Sequence, residues 1–223
     1  MKVSEALDSR LSVREFLPDP VPVDTIRAIL EVAKRSPSGG NLQPWTVYVA
    51  TGSALDEIKA LIRSKLSESP KGEGTEYHIY PPDLTEPYRT RRYRVGEQLY
   101  DAIGIARDNK FGRLMQFARN FEFFGAPAAL FFAIDRQMQQ GQWADLGMFM
   151  QSIMLLAREH GLDTCAQEAW AVWHKTLGEY LKMPDNLMLF AGMALGRRDP
   201  EHALNRFRSE RAPLEDFVTF LGD

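Results

Sequence analysis

The 223-residue sequence contains one cysteine, Cys165, and only four histidines. A single cysteine excludes an internal disulfide framework and any zinc or iron–sulfur site that needs several thiolates. The histidines, at positions 78, 160, 174 and 202, include no pair at helical ligand spacing. We therefore expect no metal site, and redox or group-transfer chemistry would need an organic cofactor or ordinary acid–base groups.

The sequence also lacks a long apolar run and an excess of positive charge. No stretch approaches the ~20 apolar residues that span a membrane. The 27 basic and 30 acidic residues give a formal net charge of −3, which argues against nucleic acid as a partner. The first eleven residues are polar with a helical pattern, so they predict no signal peptide. We expect a cytoplasmic protein with neither a membrane nor a nucleic-acid partner.

Hydrophobic patterning predicts a mixture of helices and strands within a single domain over residues 1–223. The predicted helices are 4–11, a second helix after an N-cap at Asp24 that ends at Ser36-Pro37, 55–66, 99–105, 113–124, 143–160 and 176–181. The predicted strands are 46–50, 128–134 and 187–191. The last two strands are unbroken apolar runs, which is typical of strands buried on both faces.

Two segments contain more chain than this core requires. Residues 67–113 form an arm insertion whose first part is rich in glycine, proline, tyrosine and arginine. Loops this long are either disordered or functional, and the interspersed aromatic residues favour a functional lid or a wrapping arm. The arginines of the arm form either a solvated face or a site for an anion. Residues 197–223 form an apolar C-terminal arm, which we expect to wrap a partner subunit.

The first motif with chemical content is Arg10-Leu-Ser12-Val-Arg14. Alternate residues of an extended segment point the same way, so two guanidinium groups and one hydroxyl would share a face. An arginine fork matches the geometry of a phosphate group. The alternative is a solvated basic face without a ligand.

The second motif is Ser36-Pro-Ser-Gly-Gly-Asn41-Leu-Gln43-Pro-Trp45. Small residues allow the backbone of such a loop to approach a ligand closely. Asn41 and Gln43 add amide donors and acceptors that suit hydroxyl groups or the edge of a heterocycle. The alternative is an ordinary turn followed by a core tryptophan.

Together with three later stretches, these motifs resemble the FMN-dependent nitroreductase family, most closely its nitrobenzoate-reducing members. The later stretches are Asp145-x-Gly147-x-x-x-Gln151 running on to Gly161-Leu-x-Thr-Cys165, residues 189–196, and Asn205-x-x-Arg208-x-x-Arg211-Ala-Pro213-Leu. The resemblance covers nearly the whole chain outside the arm. It implies an α+β fold, a three-layer α/β/α sandwich with a mostly antiparallel sheet, in an obligate intertwined homodimer.

The resemblance also implies which residues bind FMN at the dimer interface. Arg10, Ser12 and Arg211 would hold the phosphate, with Arg208 in the same basic segment, and Arg14 would face the pyrimidine edge of the ring. Pro37, Ser38, Gly39, Asn41 and Gln43 would come from the partner subunit against the ribityl chain and ring. Asn120 would lie near the ring, and a backbone N–H of Gln167, Glu168 or Ala169 would reach flavin N5.

The implied activity is an FMN-dependent NAD(P)H oxidoreductase that reduces nitroaromatics, quinones or similar planar acceptors. NADPH or NADH would reduce the flavin in a ping-pong cycle of hydride transfer through N5, with no catalytic side chain. Two alternatives remain open at this point. One is reductive dehalogenation or flavin fragmentation on the same fold, and the other is a flavin-binding protein without turnover.

Overall fold

The computed structural model describes residues 1–222, and its four strands form one antiparallel sheet. The strands are β1 (Thr46–Thr51), β2 (Ala128–Asp135), β3 (Asp163–Gln167) and β4 (Leu187–Gly196). Their spatial order is β1-β2-β4-β3. The apolar run from Ala128 to Ile134 is fully buried, as expected for a strand with both faces covered.

Helices cover both faces of this sheet. The described chain contains the helices α1 (Val3–Ser9), α2 (Val23–Ala33), α3 (Gly52–Leu66), α4 (Tyr88–Asp101), α5 (Lys110–Ala118), α6 (Gln140–Glu159), α7 (His174–Tyr180) and α8 (Ala203–Arg206). The hydrophobic core on one face includes α2 and α6. The core on the other face includes α3, α7 and the 3-10 segments Arg119–Gly125 and Glu168–Trp173. The expected three-layer α+β sandwich is confirmed.

Helix α6 packs with an apolar stripe that includes Leu146, Phe149 and Ile153. The ring of Phe149 stacks on Trp45 with 4.6 Å between centroids, which joins α6 to the chain entering β1. Met148, on the opposite side of the helix, is 42% exposed. Within one chain, α6 therefore covers the sheet and presents a second face outward.

Several predicted element boundaries were wrong. Helix α2 begins at Val23 after an N-cap at Pro22, so Asp24 lies in its first turn and is not the cap. Helix α4 begins at Tyr88, inside the segment that the sequence predicted as irregular, and none of its residues is buried. A helix without a buried stripe has no apolar period for sequence reading to detect.

The predicted helix 113–124 instead begins earlier and ends at Ala118. Phe123 and Phe124 adopt φ values of 49° and 55° inside the following 3-10 segment, which a continuous α-helix excludes. Both rings are nevertheless fully buried. Packing of these two side chains in the core outweighs the cost of the left-handed backbone.

The N-terminal helix ends at Ser9, two residues before its predicted end, and the chain then becomes extended. The backbone N–H of Val13 donates to the carbonyl of Thr164 over 3.0 Å, and Ser12 pairs with Thr164 in a parallel bridge. Residues 10–14 therefore run along the outer edge of β3. This edge pairing positions the first basic motif.

Within residues 1–222, no helix is both long enough and apolar enough to cross a membrane. The same residues contain no group of three or more histidine, cysteine, aspartate or glutamate side chains placed to hold a metal ion.

Candidate functional site

A cavity of about 410 Å³, which we call the basic pocket, lies beside the extended N-terminal segment. Arg10, Ser12, Arg14, Arg208 and Arg211 all line it. The structure therefore brings together the two sequence motifs that were expected to hold a phosphate, although they are about two hundred positions apart in the chain. The segment is extended along β3, so the side chains of Arg10, Ser12 and Arg14 can all reach the pocket, which Leu11 also lines.

The basic pocket has more positive than negative charge. Asp8 is the one carboxylate among its described lining residues, and its Oδ1 lies 3.9 Å from Nη1 of Arg208. Burial lowers the pKa of Arg10, and the nearby charges of Arg211 and Arg208 lower it further. Guanidinium groups that destabilise one another in this way are stabilised by an anion bound between them.

Asn205 fixes the backbone beside the pocket. The sequence analysis named it only as part of the C-terminal motif and predicted no role for it. Its side chain is buried, and its Oδ1 accepts a 3.0 Å hydrogen bond from the backbone N–H of Arg14. Its Nδ2 donates to the carbonyls of Glu15 and Asp199, each over 2.7 Å. Asn205 therefore joins the N-terminal segment to the chain that follows β4, and so helps to define the pocket.

The loop that contains Pro37, Ser38, Gly39, Asn41 and Gln43 does not line the basic pocket of its own chain. Asn41 and Gln43 have φ values of 56° and 50°. The hydroxyl of Ser38 accepts a 3.0 Å hydrogen bond from the backbone N–H of Gln43. The two amide side chains are exposed, so they are displayed at the surface by a hydrogen-bonded turn.

Asp145 supports this loop, and the sequence analysis missed its role. Its buried carboxylate accepts a 3.1 Å hydrogen bond from the backbone N–H of Gly39. The signal was a charged residue between Trp143 and Leu146 in an otherwise apolar stripe. Such a residue is retained in a buried position when it has a specific polar partner.

The structure also brings Asn120 and Gln167 together, at the C-terminal end of β3. The Nε2 group of Gln167 donates to the main-chain oxygen of Asn120 over 2.8 Å and to its Oδ1 over 3.1 Å. Asn120 Nδ2 donates to the carbonyl of Phe117 over 2.8 Å. The orientation of the Asn120 amide is therefore fixed by the protein itself.

Glu168 and Ala169 begin a 3-10 turn directly after β3. The first N–H groups of such a turn have no acceptor within the turn itself, so they are available to another acceptor. Burial raises the pKa of Glu168, and this side chain forms no ion pair within residues 1–222. Cys165, in the middle of β3, is buried. Burial also raises the pKa of its thiol.

The model of the nitroreductase family matches residues 7–197 of this chain. The chain belongs to the nitroreductase family. The match extends from α1 to the end of β4 and includes the N-terminal basic motif, the loop after α2 and the strand that carries Gln167.

Characterised relatives match along nearly their whole length. The chloronitrobenzene nitroreductase of Comamonas testosteroni is 39% identical over 219 residues, which are 98% of this chain and 96% of the relative. The 4-nitrobenzoate reductase of Pseudomonas putida is 35% identical over 96% of this chain and 93% of the relative. Among solved structures, the FMN and NADPH-dependent nitroreductase NfnB from Sphigopyxis sp. strain HMH has a TM-score of 0.97 and 43% identity, with 100% of both chains covered.

Proposed function

We propose that this protein is an FMN-dependent oxidoreductase that uses NADPH or NADH to reduce nitroaromatic compounds, quinones and similar planar acceptors. The observation that carries the proposal is the basic pocket, in which Arg10, Arg208 and Arg211 face one another with little compensating negative charge. Full-length relatives named as nitroreductases support this activity over dehalogenation, flavin fragmentation or binding without turnover. When bound, FMN supplies the two-electron chemistry.

The residues of the pocket fit the phosphate end of FMN. Arg10, Ser12 and Arg211 would hold this phosphate, with Arg208 adding positive charge at the rim. The guanidinium of Arg14, whose Nη1 donates to the carbonyl of Ser12 over 3.1 Å, would lie at the pyrimidine edge of the ring. A cation at that edge stabilises the negative charge of the reduced ring and thereby raises its reduction potential.

The residues at the end of β3 fit the ring itself. Asn120, oriented by Gln167, would present its amide to the ring edge. A backbone N–H of Gln167, Glu168 or Ala169 would donate to flavin N5 and align the ring relative to the substrate. In this proposal no side chain acts as a nucleophile, which agrees with the burial of Cys165.

We further propose that the working unit is a homodimer in the cytoplasm, where reduced nicotinamide nucleotides are produced. The loop that contains Asn41 and Gln43 would then contact the ribityl chain and ring in the partner's site. Exposed apolar side chains support such an assembly, including Phe220 and Leu221 of the C-terminal arm. A chain truncated after Pro213 tests the role of the C-terminal arm. Sedimentation should show that the truncated chain no longer forms a dimer, and its bound flavin should be lost. A truncated chain that remains a yellow dimer would contradict this role.

The test of the function is the visible spectrum of the purified protein. An absorption band at ~450 nm is expected from bound isoalloxazine. Under nitrogen, NADPH or NADH should bleach this band, and a nitroaromatic compound should restore it with formation of a reduced nitrogen product. Failure to bind FMN would overturn the proposal. Loss of the flavin itself would favour fragmentation, and bleaching without turnover would favour a binding protein.

A further inference from the structure

A second and larger cavity, which we call the arm cavity, borders the basic pocket. Its volume is about 820 Å³, and it lies between α4 with Tyr80 on one side and residues 209–217 on the other. The two cavities share Val95, Ser209 and Arg211 as lining residues. A ligand in the arm cavity would therefore lie next to the site proposed for the flavin phosphate.

The arm cavity is also basic. Arg91, Arg92, Arg94 and Arg211 line it, against Glu210 and Asp216. Two of these arginines are already paired: Arg91 lies 3.6 Å from a carboxylate oxygen of Asp216, and Arg94 lies 3.2 Å from one of Glu210. Within residues 1–222, neither Arg92 nor Arg211 has a carboxylate partner within 4.0 Å. Since Arg211 is assigned to the flavin phosphate, Arg92 is the cation left for another anion.

Arg92 is also oriented by its neighbour Tyr80. The guanidinium carbon lies 3.8 Å from the centroid of the Tyr80 ring. A guanidinium held over the face of a ring still has N–H donors in its own plane, and these can form two hydrogen bonds to one phosphate. The opposite wall carries Phe217, which is 67% exposed and offers an apolar surface to a planar base.

We propose that the arm cavity binds the adenosine 2′-phosphate end of NADPH, with Arg92 as its principal contact, and that this contact makes the enzyme prefer NADPH over NADH. The inference rests on the proposed function. The nicotinamide must reach the flavin ring, so the adenosine end must lie in a neighbouring space. NADH differs from NADPH only by lacking the 2′-phosphate, which is the group that an unpaired arginine recognises.

The first test is Arg92→Ala in the FMN-loaded protein. The kcat/KM for NADPH should fall by about 10- to 100-fold, which corresponds to one lost charge-assisted contact, and kcat/KM for NADH should not change. The loss should appear in KM rather than kcat, since the contact is remote from the reacting atoms. Equal losses with both nucleotides, or no loss with either, would overturn the inference.

A binding measurement separates recognition from turnover. Calorimetry with the FMN-loaded protein should show that adenosine 2′,5′-bisphosphate binds more tightly than adenosine 5′-monophosphate, and that Arg92→Ala removes the difference. Flavin must be present so that the probe does not occupy the basic pocket instead. Equal binding of both probes by the unaltered protein would contradict the proposed site.

Arg89→Ala is the matched control. Arg89 lies on the same helix and is paired with Glu86 over 2.8 Å, but it does not line the arm cavity. Its removal takes away the same charge from α4 and should leave the NADPH preference intact. A loss equal to that of Arg92→Ala would show that the general charge of α4, and not a specific contact, determines the preference.

Asp216→Asn provides a variant with the opposite expected sign. It removes the partner of Arg91 and makes the arm cavity more positive, so adenosine 2′,5′-bisphosphate should bind more tightly. A purely structural role for the ion pair predicts weaker binding, which would count against the inference. This variant keeps the test valid if Arg92→Ala disturbs the packing of α4.

Further outcomes distinguish failure of this inference from failure of the proposed function, and distinguish a nucleotide site from a site for the nitroaromatic acceptor. If the unaltered protein reduces nitroaromatics with NADH and NADPH equally well, the inference fails and the function stands. If neither nucleotide supports turnover, the proposed function fails. With NADH as the donor, Arg92→Ala should not distinguish nitrobenzoate from neutral nitrobenzene, and a selective loss with the anion would assign the cavity to the acceptor.

Discussion

The buried carboxylate of Asp145, in the first half of α6, accepts a 3.1 Å hydrogen bond from the backbone N–H of Gly39. This contact spans 106 positions of the sequence. It ties a loop with two left-handed non-glycine residues, Asn41 and Gln43, to a well-packed helix. The loop therefore keeps a strained conformation because the surrounding structure fixes it.

Asp145→Ala should loosen this loop. Removing the acceptor leaves the Gly39 N–H without its partner, so the free energy of unfolding should fall by about 1–3 kcal/mol, and bound FMN should dissociate faster. Denaturant unfolding and flavin fluorescence measure the two effects. Asp145→Asn retains an acceptor oxygen and serves as the control, and equal effects of the two variants would show that charge, not the hydrogen bond, is required.

Arg10→Ala should weaken FMN binding by about 10- to 100-fold, because a charge-assisted phosphate contact is lost. Riboflavin has no phosphate, so its affinity should be the same for the variant and the unaltered protein. Fluorescence titration of each flavin measures the affinities. Arg27→Ala, which removes an exposed cation from α2, should affect neither flavin, and an equal loss for riboflavin would place Arg10 away from the phosphate.

Gln167 and Asn120 should act as a coupled pair. Gln167→Ala removes the donor to Asn120 Oδ1, so the free energy of unfolding should fall by about 1–3 kcal/mol. In a double-mutant cycle with Asn120→Ala, the combined effect should be smaller than the sum by about 0.5–3 kcal/mol. Strict additivity in urea unfolding would mean that the two amides stabilise the protein independently.

The stability of the arm should depend on pH through Glu73. Burial alone would raise the pKa of Glu73, but hydrogen bonds from the Thr176 side chain and backbone hold it below the ordinary value of 4.5. A carboxyl with a lowered pKa stabilises the folded state above its unfolded-state pKa, and this contribution is lost as pH falls through the folded-state value.

Glu73→Gln should therefore lower the melting temperature at pH 7, and its difference from the unaltered protein should shrink as the pH falls below 4.5, the ordinary value. Thermal unfolding across this pH range checks the expected trend. Glu68→Gln changes an exposed carboxyl in the same part of the chain and should show no such convergence. A constant difference at all pH values would assign the effect to packing instead of charge.

The sequence predicted those features that depend on local pattern. The apolar run at 128–134 identified β2, and the alternation of Arg10, Ser12 and Arg14 identified one wall of the basic pocket. The resemblance supplied the opposite wall, at Arg208 and Arg211, which no local period connects to the first. The resemblance had grouped all five residues around the flavin, whereas local pattern alone could not, because the grouping depends on Val13 pairing with β3.

Other features were not predictable from local pattern. Helix α4 has no apolar stripe, since none of its residues is buried, so periodicity could not reveal it. The break after Ala118 depends on the burial of Phe123 and Phe124 in a core formed by distant segments. The contacts of Asp145 with Gly39 and of Gln167 with Asn120 join residues far apart in the chain. Local sequence patterns cannot predict which distant residues come into contact.

The pairing of residues 10–14 with the edge of β3 also restricts how this chain can change in length. Successive side chains of an extended segment point to opposite sides, so shifting the segment by one residue would turn the fully buried Val13 toward the pocket and Arg10, Ser12 and Arg14 away from it. A single-residue insertion between Arg10 and Val13 that keeps Val13 paired with Thr164 would thus turn Arg10 away from the basic pocket. A two-residue insertion would restore the alternation, so this segment can change in length only by an even number of residues.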